Sequence, residues 1–102
     1  MADYICGRLI HPGELLKEEI EVRSMKQSEL AERMEVSYKM LNDILNCRRS
    51  LTPQTAMLFE AALGISAEML MGMQMDYTMR KTASEPSFAE KLRKVRQCVA
   101  AL

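Results

Sequence analysis

The sequence predicts an all-α protein: a domain of five short helices followed by one more C-terminal helix. Three observations carry that expectation. Apolar residues recur at helical spacing from Leu15 to Val99. Helix-starting residues punctuate the chain at short intervals, at His11-Pro12, Ser37, Thr52-Pro53, Ser66 and Ser87. With 10 Met, 5% aromatics and little valine or threonine, the composition suits a Leu/Ile/Met/Ala core rather than a sheet.

Length and charge bound the rest. A chain of 102 residues is one domain with room for an appendage and a small core. Residues 1–10 show no period and read as an N-terminal arm, 11–81 as the domain, and 82–102 as a helical extension. No run nears the roughly 18 apolar residues of a membrane span, and no secretory signal opens the chain. Cys6, Cys47 and Cys98 are odd in number and far apart. Neither a disulfide framework nor a metal site is expected from them, and a reducing cytoplasm is the default. The 14 basic and 14 acidic residues cancel, which argues against a protein that coats nucleic acid by bulk charge. No nucleophile elbow or phosphate loop appears, so no enzyme and no cofactor is expected.

In the first helix, Pro12 suits the first position and Glu14 the first turn. Leu15, Leu16 and Ile20 form its inner face. The second spans about Gln27 to Met34, with Leu30, Ala31 and Met34 inward. Ser37 caps the third, about Tyr38 to Asn46, and Leu41, Ile44 and Leu45 lie on its core side. Turning 100° per residue then puts Lys39, Asn42, Asp43 and Asn46 outward. Thr52-Pro53 starts the fourth helix and Gly64 ends it. Ser66 caps the fifth, about Ala67 to Lys81. A break over 82–87 follows, and Ser87 to Glu90 spell a capping box for the sixth. Phe88, Leu92, Val95 and Val99 make an apolar stripe there, which needs a partner. A second copy of the chain is the favoured one, ahead of its own core, and then of another protein or a disordered segment.

Helices two and three, short and tightly joined, are the unit whose second helix can lie in the DNA major groove. Gln27 starts the helix that would cross the backbone. Lys39, Asn42 and Asp43 are types that read guanine, adenine and cytosine edges. Arg48 and Arg49 follow, suited to phosphates.

The stretch QSELAERMEVSYKMLNDILNCRRSLTPQTAMLFEAALGIS resembles the helix-turn-helix core of the Xre/Cro repressors, a lambda-repressor-like fold. With HPGELLKEEI before it and Met73-Gln74-Met75-Asp76-Tyr77 after it, residues 11–81 resemble HigA-type antitoxins of bacterial toxin–antitoxin operons. The resemblance implies DNA contacts at Gln27, Ser37, Tyr38, Lys39, Asn42 and Asp43, and backbone contacts at Arg48 and Arg49. It implies a homodimer on an inverted-repeat operator in its own promoter. It also implies a HigB-type partner, a ribosome-dependent mRNA endonuclease that the chain neutralises. Three positions depart from the pattern. Glu35 and Cys47 stand where glycines are usual, and Lys26 stands where a serine or threonine cap is common. Glu35 is therefore expected at positive φ or in a reshaped turn. Two other readings stay open: a module that binds the toxin without specific DNA binding, and a phage-type repressor with no toxin.

Overall fold

A computed structural model describes residues 9–102. Cys6 and most of the expected arm lie outside that range. Six helices follow in order: α1 Pro12–Val22, α2 Gln27–Met34, α3 Tyr38–Leu45, α4 Pro53–Leu63, α5 Ala67–Ser84 and α6 Pro86–Ala100. There is no strand among the described residues.

The helices start where side chains can replace missing backbone partners. The His11 Nδ1 accepts from the Gly13 amide at 2.9 Å. The hydroxyls of Ser37, Thr52 and Ser66 accept from the amides of Met40, Thr55 and Met69 at 3.0, 3.3 and 3.1 Å. Each such cap contributes about 1 kcal/mol. Lys26 precedes α2 and makes no side-chain cap, as its chemistry requires.

The helix ends explain the missing glycines. Glu35 is left-handed, with φ 57° and ψ 41°. Its amide donates to Glu32 and that of Val36 donates to Ala31. That pair of bonds is the Schellman closure, normally built on glycine. Cys47 repeats it at φ 62°, with amides 47 and 48 donating to Ile44 and Asp43. Ser24, at φ 56°, makes a third, with amides 24 and 25 donating to Glu21 and Ile20. The joint keeps its glycine geometry without glycine, at roughly 1–2 kcal/mol per site. Val36 and Met25 compensate in part by packing on the core. Ser24 carried no signal, because its neighbours do not mark it as a glycine site.

The core joins Leu16 and Ile20 of α1, Leu30, Ala31 and Met34 of α2, and Leu41, Ile44 and Leu45 of α3. Ala56, Phe59 and Leu63 of α4, Leu70 of α5, and Leu51 complete it. Phe59 is fully buried at its centre. Leu15, expected inside, is only half-buried at the core edge. Gly13 is required by contact rather than by φ. A Cβ there would collide with the Ile44 carbonyl oxygen, so glycine lets the start of α1 meet the end of α3.

The C-terminal region departs from expectation in two respects. The break is one residue, not six. Pro86 forces only the residue before it out of the helical region, and Glu85 is extended at ψ 125°. Nothing stops Thr82 to Ser84 from continuing α5. The capping box at Ser87 does not form either. Pro86 occupies the first turn, so the cap position falls on Glu85, and the Ser87 hydroxyl bonds the Glu85 carboxylate at 2.9 Å. α6 packs against α5 and buries none of its residues. The radius of gyration is 17.0 Å, against about 13 Å for a compact chain of this length.

Candidate nucleic-acid interface

α3 is fixed from within by Leu41, Ile44 and Leu45, all essentially inaccessible. Its opposite side carries a chain of polar side chains bonded to one another. The Asn42 Nδ2 donates to Gln27 Oε1 at 3.0 Å, tying the start of α2 to the middle of α3. The Arg48 Nη2 donates to Asn42 Oδ1 and Asp43 Oδ1, both at 3.0 Å, and its Nε donates to the same Asp43 oxygen at 3.2 Å. The Lys39 Nζ donates to the other Asp43 oxygen at 3.0 Å. Hydrogen bonds from Lys39, then Arg48, hold the Asp43 carboxyl below the usual carboxylate range.

Cys47 positions Arg48. Its left-handed turn folds the chain back until the Arg48 amide donates to the Asp43 carbonyl at 2.8 Å. The guanidinium then lies over the side chains of Asn42 and Asp43. Burial pushes the Cys47 thiol up, away from the reactive thiolate.

Of the sequence-predicted contact residues, Gln27, Lys39, Asn42, Asp43 and Arg48 form this one network. Tyr38 is exposed beside it at the start of α3. The Ser37 hydroxyl is engaged in its cap. Arg49 is exposed, and its backbone is bonded by His11. Phe88, Val95 and Val99 lie far along the chain on α6, exposed, with Leu92 half-buried. Asn46 continues the chain, donating to the Asn42 carbonyl at 2.9 Å and accepting from Lys17 at 3.2 Å. Lys17 was not legible in the sequence, because only the α1–α3 packing brings it there.

A second polar cluster holds the basic loop from behind. The buried Gln74 of α5 accepts from the Leu51 amide at 2.8 Å and donates to Thr78 at 3.0 Å. The His11 ring meets Tyr77 edge-on, centroids 5.0 Å apart at 80°, and Lys81 Nζ lies 5.6 Å over the tyrosine ring. Burial, the dominant influence, pulls the His11 pKa below its ordinary value, although its bond to Arg49 opposes this. His11 is thus a capping and packing residue, and Tyr77 a half-buried packing one. A glutamine on the apolar stripe Leu70-Gln74-Tyr77 was the available signal for this clamp.

The helix-turn-helix family pattern matches residues 16–70. Virulence-associated protein I of Dichelobacter nodosus is 32% identical over 72 residues, covering 70% of this chain and 67% of that protein. An addiction module antidote protein of the HigA family from Coxiella burnetii superposes with TM-score 0.74 at 30% identity, covering 85% of this chain and 94% of that one. The Pseudomonas aeruginosa antitoxin HigA, solved with the higBA promoter, gives TM-score 0.75 at 26% identity over 83% of this chain and 91% of that one. This fold and face define a helix-turn-helix protein of the Xre type. The chain belongs to that family, in its HigA-type antitoxin branch.

Proposed function

We propose that this chain is a cytoplasmic repressor that binds an inverted repeat in its own promoter and neutralises a HigB-type toxin, a ribosome-dependent mRNA endonuclease. The observation that carries the DNA reading is the outward row of Lys39, Asn42 and Asp43 on a helix whose inner side is fully packed, beside Gln27 at the start of α2. Those residue types can bond base edges, while Arg48, Arg49 and the first amides of α2 can meet phosphates. The Pseudomonas relative solved with promoter DNA supports the same use. The family consists of regulators, and no enzyme activity is part of this reading. No described helix is long and apolar enough to cross a membrane.

The dimer is assigned to residues 82–102. The row Phe88, Leu92, Val95 and Val99 on α6, exposed except for the half-buried Leu92, gives two copies a common apolar seam, at about 1.5–3 kcal/mol per side chain fully buried. Exposed Met69, Met75 and Met79 on α5 offer adaptable surface to a protein partner such as the toxin.

Gel shifts with DNA from upstream of the gene, with and without toxin, test the repressor half. A retarded band in either condition is expected, and none in both contradicts it. Leu92→Asp should convert a dimer to a monomer by light scattering. An unchanged mass would remove α6 from the interface.

A further inference from the structure

Resting on the DNA reading above, we propose that Asp43 is an internal counter-ion that withholds Lys39 and Arg48 from DNA until cytosine replaces them. The geometry is specific. The Asp43 side chain is only 13% exposed, and each of its oxygens is bonded by one of the two cations. Lys39 and Arg48 are themselves 82% and 58% exposed, so both can swing away without unpacking anything.

A phosphate can compete for either cation. Each cation that leaves strips a partner from Asp43, and the carboxylate then faces the negative groove uncompensated. On an arbitrary sequence the exchange swaps one anion for another and yields little. Where the groove presents a cytosine N4 amine, Asp43 gains a neutral donor, and both cations are released to the backbone. The residue thus acts mainly by penalising wrong sequences.

Arg48 couples this step to Asn42. Its Nη2 bridges Asn42 Oδ1 and Asp43 Oδ1. One guanidinium movement therefore uncovers the acceptor that an asparagine needs for adenine N6 and the acceptor that an aspartate needs for cytosine N4. These two acceptor oxygens are uncovered together. The zero net charge of the chain fits such a device, since bulk attraction cannot mask the penalty.

The test uses the full chain, as wild type, Asp43→Asn and Asp43→Ala. Each binds fluorescent duplexes of its own upstream DNA and of the same bases scrambled, from about 50 to 200 mM salt. Thermal melts check that all three are folded. Both variants should bind the scrambled duplex roughly tenfold tighter, with a log–log salt slope steeper by about one to two. Their preference for upstream over scrambled DNA should fall by a similar factor. Unchanged or weaker binding of scrambled DNA by both variants, with wild type still preferring upstream DNA, overturns the counter-ion role alone. A wild type that binds neither duplex overturns the DNA reading itself, and this proposal with it.

Discussion

The clamp behind the basic loop and the polar chain in front of α3 use the same chemistry. Both are side-chain hydrogen bonds near 3 Å, and they share the loop from Asn46 to Leu51. They differ in burial. Gln74 and His11 are 5% and 3% exposed, so water cannot replace a lost partner. Lys39 and Arg48 are mostly in solvent, so their bonds can be exchanged at little cost. The first set fixes where the loop sits, and the second is free to change partners, as the proposed DNA reading requires. Residues that look alike in the sequence therefore differ in setting, with Gln74 and His11 buried and Lys39 and Arg48 in solvent.

Substitutions in the buried supports should cost more than those on the exposed face. Gly13→Ala should be the most damaging single change, because its Cβ would strike the Ile44 carbonyl and push α1 from α3. A loss of about 1–3 kcal/mol is typical of such overpacking. That corresponds to roughly 4–8 °C in Tm per kcal/mol for a domain this small. An unchanged melt would show that the close contact is not what glycine serves. Gln74→Ala should follow, since it leaves the buried Leu51 amide unpaired at about 1–3 kcal/mol. Hydrogen exchange at Leu51 should quicken with it. If only the front-face variants Gln27→Ala or Asn42→Ala destabilised the fold, the division into supports and readers would be wrong.

The third effect is pH-dependent. The folded His11 pKa is lowered, chiefly by burial, while the unfolded imidazole titrates near 6.5. Between those two values the unfolded chain binds more protons, so stability rises with pH there. The contribution is complete above about 6.5, is lost as pH falls through that value, and levels off below the folded pKa. Urea melts of wild type and His11→Gln should converge as pH falls below about 6.5. A constant difference between them would refute a neutral, buried His11. The smallest effect is a gain. Glu35→Gly should stabilise by up to about 1 kcal/mol, since it removes the left-handed strain from an otherwise satisfied Schellman turn. A loss would mean that the glutamate side chain supports the joint.

Much of the fold was legible because local signals agreed with one another. Ser37, Thr52-Pro53, Gly64 and Ser66 each marked an end, and the apolar spacing of Leu41, Ile44 and Leu45 fixed the outward face of α3. Glu35 was legible as a departure, and it takes the left-handed form that was expected. The C-terminal break is shorter than expected because Ala83 favours helix, Thr82 and Ser84 oppose it only weakly, and Pro86 alone ends it. The bonding within the candidate site was not legible. Gln27 meets Asn42 fifteen positions away only once α2 and α3 pack, and Arg48 reaches Asp43 only because Cys47 adopts a positive φ. The clamp was visible as motif residues without a role. Its purpose required three distant segments, at His11, Leu51 and Gln74, to converge.

The outward face of α3, with its attendant cations, is the surface proposed to bind DNA. The most direct measurement is the affinity of wild type and Lys39→Ala for the upstream DNA over about 50 to 200 mM salt. Wild type should lose affinity steeply and linearly on log–log axes, and Lys39→Ala should bind more weakly with a slope shallower by about one. A flat wild-type slope, or a variant indistinguishable from wild type at every salt concentration, would mean that this face of α3 does not bind DNA.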